Sequence, residues 1–131
     1  MENLLHKELT EEIIGAFYEV YNELGFGYLE KVYHNALYFE LIDRGLRVEA
    51  KHQVKVFYKG KLVGDYFPDL IVNDLVILEL KAVAHILEEH ELQLYNYLRS
   101  TPCEVGLLLN FGSKPDFSRK AFSNHRKKLA S

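Results

Sequence analysis

The chain has 131 residues, 48% of them hydrophobic, and a formal net charge of -3. That is the size and apolar content of one domain with a single core. The acidic balance excludes a protein that coats nucleic acid by bulk charge, so such contact has to be local or bridged by a metal ion. Thr10, followed by Glu11 and Glu12, predicts a helix N-cap with acids in the first turn, and Ile13, Ile14, Phe17, Val20, Tyr21 and Leu24 recur at helical spacing up to Gly25. A second helix is predicted from about Leu29 to Arg44, stopped by Gly45. From Leu46 to Tyr58 the pattern alternates, with Val48, His52, Val54, Val56 and Tyr58 on one face, which predicts a strand. Lys59-Gly60-Lys61 makes a turn, and Gly64-Asp65 suits a bulge or bend before Pro68.

Two apolar runs follow, Tyr66 to Val72 and Leu75 to Lys81, joined by Asn73-Asp74, which is the signal for a hairpin. A third helix is expected from about Ile86 to Arg99, ending before Thr101-Pro102. Val105 to Leu109 is a wholly apolar run that suits a strand buried on both faces and, reached through a helix, parallel to a neighbour. From about residue 114 onward the chain is poor in apolar side chains and carries Arg119, Lys120, Arg126, Lys127 and Lys128. That tail is expected as a final helix or a mobile basic arm able to touch a phosphate backbone. Cys103 is the only cysteine, so no intrachain disulfide forms, and a reducing compartment suits it. The first residues lack the cationic start and long apolar stretch of a signal peptide, and no apolar run approaches a membrane span, so a cytoplasmic protein is expected.

The chemistry-bearing residues gather at the hairpin. If Asn73 and Asp74 alone form the turn, Asp69 lies opposite Leu78; if the loop takes one more residue, it lies opposite Glu79. Either register leaves the two acids close, since cross-strand neighbours sit roughly 5 Å apart and diagonal ones about 7 to 8 Å. Glu79 and Lys81 project from the same face of their strand. A solvated ion pair is the plain reading of this trio. Yet Val-Ile-Leu-Glu-Leu is apolar on both faces, and a carboxylate buried there needs a partner or a metal. Magnesium, with manganese as a substitute, takes one or two carboxylates plus water and phosphate oxygens. Asp69 and Glu79 would be its ligands, with the carbonyl of Leu80 as a further one. Lys81 would orient the attacking water or stabilise the transition state.

Pro68-Asp69 followed by Glu79-Leu80-Lys81 resembles the signature of the PD-(D/E)xK nuclease superfamily. Gly27-Tyr28-Leu29-Glu30-Lys31-Val32-Tyr33 is similar to the GxxExxY pattern that names a group of small bacterial proteins within it. Gln93-Leu94-Tyr95-Asn96-Tyr97 resembles the QxxxY motif of RecB-like members, and the three stand in the expected order. The resemblance implies a single α/β domain over residues 1–131, a restriction-endonuclease-like central mixed sheet flanked by helices. It also implies metal-dependent phosphodiester hydrolysis of nucleic acid, DNA before RNA. On this reading Asp69 and Glu79 are metal ligands, Lys81 the catalytic lysine, Glu30 an additional metal-binding acid, and Gln93 a catalytic-face residue, with Tyr33 and Tyr97 as supports. Other readings stand beside these: Glu30 as a residue satisfying free amides at a helix start, Tyr33 as packing, Gln93 as a polar contact to the strand.

His85 and His90 are five apart, off a common helical face, which argues against a transition-metal site; His6, His34, His52 and His125 show no evident partner. The alternative function is a non-catalytic nucleic-acid or protein interaction module that keeps the fold, and a third is a ribonuclease or effector component that works only inside a larger assembly. A compact nuclease without a second domain often uses another subunit to embrace a duplex, which makes a homodimer or larger assembly a candidate partner state, and the sequence leaves the oligomeric state open.

Overall fold

The computed structural model describes residues 4–127. Two helices come first, α1 (Lys7–Leu24) and α2 (Glu30–Asp43), followed by strands β1 (Val48–Ala50), β2 (Val54–Tyr58), β3 (Lys61–Tyr66), β4 (Leu70–Val72) and β5 (Val76–Lys81). Helix α3 (Glu88–Arg99), strands β6 (Val105–Asn110) and β7 (Asp116–Ala121) and a short 3-10 turn at Asn124–Arg126 complete the order. The main sheet has five strands in the order β1-β4-β5-β6-β7, and β2 pairs with β3 in a separate two-stranded ribbon. Strands β5 and β6 run parallel, joined by α3 as the crossover such a pair requires, and their neighbours pair antiparallel.

Alternation along the central strands divides the core in two. Leu70, Val72, Val76, Leu78, Leu80, Leu107 and Leu109 face α1 and α2, where they meet Ile13, Phe17, Tyr33, Leu37 and Leu41. Ile71, Ile77 and Leu108 point the other way, to Leu94, Tyr97 and Leu98 of α3. Each such leucine or isoleucine removed from water stabilises the fold by about 1.5 to 3 kcal/mol. Both faces of β5 and β6 are therefore apolar because both are covered, as the unbroken run at Val105 to Leu109 predicts. One helix covers the second face where two cover the first, and the side chains of Asp69, Glu79 and Lys81 lie on that second, less covered side.

The helices match their sequence signals closely, with differences at the ends. Thr10 is not the cap of α1: the helix begins at Lys7, and Thr10 Oγ1 donates to the Lys7 carbonyl inside the first turn (3.0 Å). The expected strand from Leu46 to Tyr58 is broken in two at Lys51, whose φ of 61° turns the chain out of the sheet. Val48 to Ala50 stays in the main sheet, and Val54 onward enters the ribbon. A register shift between Val56 and Phe57, with Val63 as the extra residue of β3, breaks the alternation and leaves Tyr58 exposed. The run from Tyr66 to Val72 is not one strand either, since Tyr66 ends β3 and β4 starts at Leu70.

The described part of the tail, up to residue 127, is neither a long helix nor a mobile arm: Asp116–Ala121 pairs with β6 as an edge strand. An edge strand needs less apolar surface than a central one, so its weak hydrophobicity misleads. His34 and His52, which show no partner in sequence, have one in space. His52 Nδ1 lies 2.7 Å from Glu49 Oε2, and His34 reaches the candidate site. His90 Nδ1 accepts the Leu87 amide (3.0 Å) and closes the first turn of α3.

Candidate functional site

The hairpin loop holds three residues, because Val72 pairs with Val76. Asn73 and Asp74 take left-handed conformations (φ 52° and 57°), which asparagine and aspartate tolerate best among non-glycine residues. The Leu75 amide closes the turn on the Val72 carbonyl (2.9 Å). Leu75 is thus the additional loop residue, and the ladder continued one step beyond Leu70 and Leu78 sets Asp69 opposite Glu79.

Each acid is held by a backbone amide on the other's side of the hairpin. The Asp69 amide donates to Glu79 Oε2 (2.9 Å), and the Leu80 amide donates to Asp69 Oδ2 (2.7 Å). Glu79 is only 6% exposed. Burial first, and then the negative charge of Asp69, push its carboxyl up to about 8, against the opposing pull of Lys81. The free carboxylate pair is electrostatically unsatisfied, and a proton or a cation relieves it.

Around the pair stand residues from three elements. Glu30, first in α2, is exposed as a residue, while its carboxyl is partly desolvated and lies near Asp69 and Lys81. Desolvation, followed by Asp69, raises its pKa. His34, one turn further on, lies on the same helical face. Its Nε2 sits 3.1 Å from the Asp69 carbonyl, which calls for a proton on that nitrogen. From α3, Gln93 Nε2 donates to Tyr97 Oη (2.8 Å). Burial, and next Glu79, raise the Tyr97 hydroxyl to about 12, so it remains a protonated donor beside Glu79.

Tyr33 lies elsewhere. Fully buried on the α1–α2 side, it stacks on Phe111 (4.5 Å, 14° between planes), and its hydroxyl donates to the Gly25 carbonyl (2.5 Å) while accepting the Tyr28 amide (3.2 Å). It pins the link between α1 and α2 and so sets where α2 and Glu30 begin. Tyr33→Phe is expected to cost about 1 to 2 kcal/mol by leaving those groups unpaired, read in denaturant unfolding together with faster amide exchange near Tyr28.

The described basic residues beyond 114 are engaged with the protein. Arg119 Nη2 donates to the Leu5 carbonyl (2.6 Å), Lys120 pairs with Glu91 (2.8 Å), and Lys127 Nζ donates to the carbonyls of Thr101 (2.8 Å) and Cys103 (2.6 Å). Arg126 lies 4.5 Å above the Phe122 ring. Lys128 is outside the described residues.

Sequence reasoning passed over two residues that shape this place. His34 had a signal, its i+4 spacing from Glu30. Asn110 had a weaker one, a polar residue ending an otherwise apolar run. It is 2% exposed, and its amide group both accepts the Val83 amide and donates to the Val83 carbonyl (3.0 Å each). Asn110 thereby holds the segment that leaves Lys81. Gly112 allows that segment to come close, for a Cβ there would sit 2.1 Å from the Val83 carbonyl oxygen.

Asp69 and Glu79 fit a hard divalent cation. One oxygen of each is oriented by a backbone amide, the second oxygens remain for a ligand, and two carboxylates are what magnesium takes from a protein before water and phosphate complete its shell. Among the described residues no group of three His, Cys, Asp or Glu is gathered closely enough to hold an ion, so Glu30 stands apart from the pair.

A family model described as the PD-(D/E)XK nuclease superfamily matches residues 7–121. No curated protein sequence matches the chain. Among solved structures, the crystal structure of SSO0001 is similar in fold, with a TM-score of 0.58 at 19% identity over 90% of this chain and 60% of that one. The chain thus spans less than two thirds of that protein, and the likeness is one of fold.

Proposed function

This chain belongs to the PD-(D/E)XK nuclease superfamily, and we propose that it is a metal-dependent nuclease, hydrolysing phosphodiester bonds of DNA in preference to RNA, with residues 1–131 as one catalytic domain. The observation that carries the reading is the buried carboxylate pair, Asp69 opposite Glu79, with Lys81 on the same face. Asp69, Glu79 and the carbonyl of Leu80 would hold magnesium or manganese. When bound, the ion polarises a phosphate oxygen and lowers the pKa of bound water. The chain's own residues do the rest. Lys81 orients the attacking water and offsets charge growing on the phosphate oxygens. Gln93, its amide nitrogen committed to Tyr97, keeps its carbonyl oxygen for a water hydrogen. Tyr97 holds Glu79 in place, and His34 steadies Asp69 through its carbonyl.

We also assign Gly27 to Tyr33 to the GxxExxY pattern and Gln93 to Tyr97 to the QxxxY pattern. In support, Gly27 has a φ of 118° that suits glycine, Glu30 opens α2 toward Asp69, and Gln93 and Tyr97 bond each other on one helix face. Among the described residues no helix is long and apolar enough to cross a membrane. The buried free thiol of Cys103 suits the reducing cytoplasm. A second reading is a nucleic-acid or protein interaction module that has kept the fold, to which the formal net charge of -3, unfavourable to a polyanionic substrate, points.

Magnesium or manganese titrated into the folded chain should bind and raise its stability, by about 2.7 kcal/mol at a hundredfold excess over Kd. An Asp69→Asn/Glu79→Gln variant should show neither binding nor cleavage of DNA or RNA. Equal ion binding by both proteins, with no strand cleaved by either, sinks the nuclease reading in favour of the second.

A further inference from the structure

A cleft of about 560 Å³ opens between the β2–β3 ribbon, the flank of α3 and the segment after β7. Tyr66 lines it from the ribbon, Asn96 and Arg99 from α3, and Phe122, Arg126 and Lys127 from the last segment. Three of its lining residues are cations and none is an acid, on a chain whose formal net charge is -3. Positive charge segregated in this way concentrates anions locally while the protein as a whole repels them.

The parts are held in place by the fold. Arg126 is stacked on Phe122, 4.5 Å from the ring centre. Lys127 is tethered to two main-chain carbonyls, and Arg99 is exposed at the last residue of α3. Tyr66 leaves an aromatic edge in the cleft and packs against Tyr97 at 5.6 Å, so the inner wall of the cleft is continuous with the wall beside Glu79. A volume within the range of small-ligand sites, about 300 to 1,000 Å³, encloses nucleotides of one strand and not a double helix. Cations that follow a backbone, interleaved with aromatic rings that accept a base, are the means by which proteins hold single strands without regard to sequence.

We propose that this cleft binds a single nucleic-acid strand, its phosphates on Arg99, Arg126 and Lys127 and a base against Tyr66 or Phe122, and leads it to Asp69 and Glu79. The destination of the strand rests on the nuclease reading above; its binding does not.

The test uses the full chain carrying Glu79→Gln, without divalent ions, and a fluorescein-labelled oligothymidylate followed by anisotropy across a salt series. With three cations engaged, log Kd should rise against log salt with a slope of about 2, at roughly 0.7 per phosphate. Arg99→Gln/Arg126→Gln should weaken binding at least about 10-fold and lower the slope by about 1.4, with an unchanged melting midpoint. If loss of Arg126 loosens Phe122 and the midpoint falls, Arg99→Gln alone decides, with an expected drop in slope of about 0.7. Tyr66→Leu should weaken binding about 10-fold at constant slope. An oligouridylate bound equally well supports the same strand chemistry. Unchanged affinity and slope in the arginine variants, or a duplex bound as tightly as the single strand through the same arginines, overturns the proposal. Cleavage is scored separately on the wild type: a protein that binds the strand through these arginines but cuts nothing retains the cleft and loses the nuclease reading.

Discussion

Glu79→Gln is expected to abolish cleavage while making the metal-free protein more stable at pH 8. The sign follows from the carboxyl itself. Its pKa lies near 8 in the folded chain, against 4.5 for the ordinary group, because it is buried and faces Asp69. The native state therefore holds the proton more tightly than the unfolded chain. Its contribution is fully present below pH 4.5, falls as pH rises through the interval and is lost above about 8. The interval corresponds to roughly 3 to 5 kcal/mol. Glutamine keeps the shape and an acceptor for the Asp69 amide but carries no charge.

Denaturant unfolding from pH 5 to 9 should show the wild type losing stability with pH and the variant nearly flat. Saturating magnesium should reverse the wild-type slope, since ion and proton compete for the same oxygens. Cleavage should fall by roughly 10³-fold or more at every pH. Should the variant keep the wild-type pH slope, some other group titrates, and the buried pair is not the unsatisfied charge described here.

The second large effect lies away from the carboxylates. Gly112→Ala is expected to cost about 2 to 4 kcal/mol and, in the protein that survives, to reduce kcat about 10- to 100-fold. The added Cβ would meet the Val83 carbonyl oxygen at 2.1 Å, a backbone atom that cannot swing aside. Relief requires the segment between Lys81 and α3 to move, carrying the lysine and the Gln93 face with it. Asn110→Ala should reach the same end by release, since both bonds to Val83 vanish. Gly106→Ala serves as the contrast: its Cβ would meet Leu94 Cδ1 at 2.6 Å, the end of a side chain that can rotate. Unfolding midpoints and steady-state rates on one substrate separate the three. A Gly112→Ala protein with wild-type stability and kcat would show that the segment is not held by this approach.

Much of the site was legible in the sequence because its residues interrupt a pattern. Glu79 is conspicuous as an acid inside a central apolar strand, Lys81 follows from the two-residue period, and Asp69 follows from the hairpin, although pattern alone left two registers open. Leu75 settled them, since a third loop residue moves every partner by one and sets the two acids face to face. Tyr33 and Glu30 were legible as neighbours on one helix, yet the structure separates their positions, with the tyrosine in the core against Phe111 and the acid near Asp69 and Lys81.

The residues by themselves determined the helices, the apolar central strands and the presence of an acidic pair beside a lysine, because periodicity and burial cost act over a few neighbouring residues. Only the tertiary structure decided which segments pair at the edges. The split of the stretch after Leu46 depends on one left-handed residue, Lys51, and the capture of Asp116–Ala121 as β7 depends on the open edge of β6. His34 beside Asp69, Asn110 on Val83 and the gathering of Arg99 with Arg126 likewise join residues far apart in the chain. Such contacts arise from the packing of whole elements, and no local pattern of hydrophobic and polar residues encodes them.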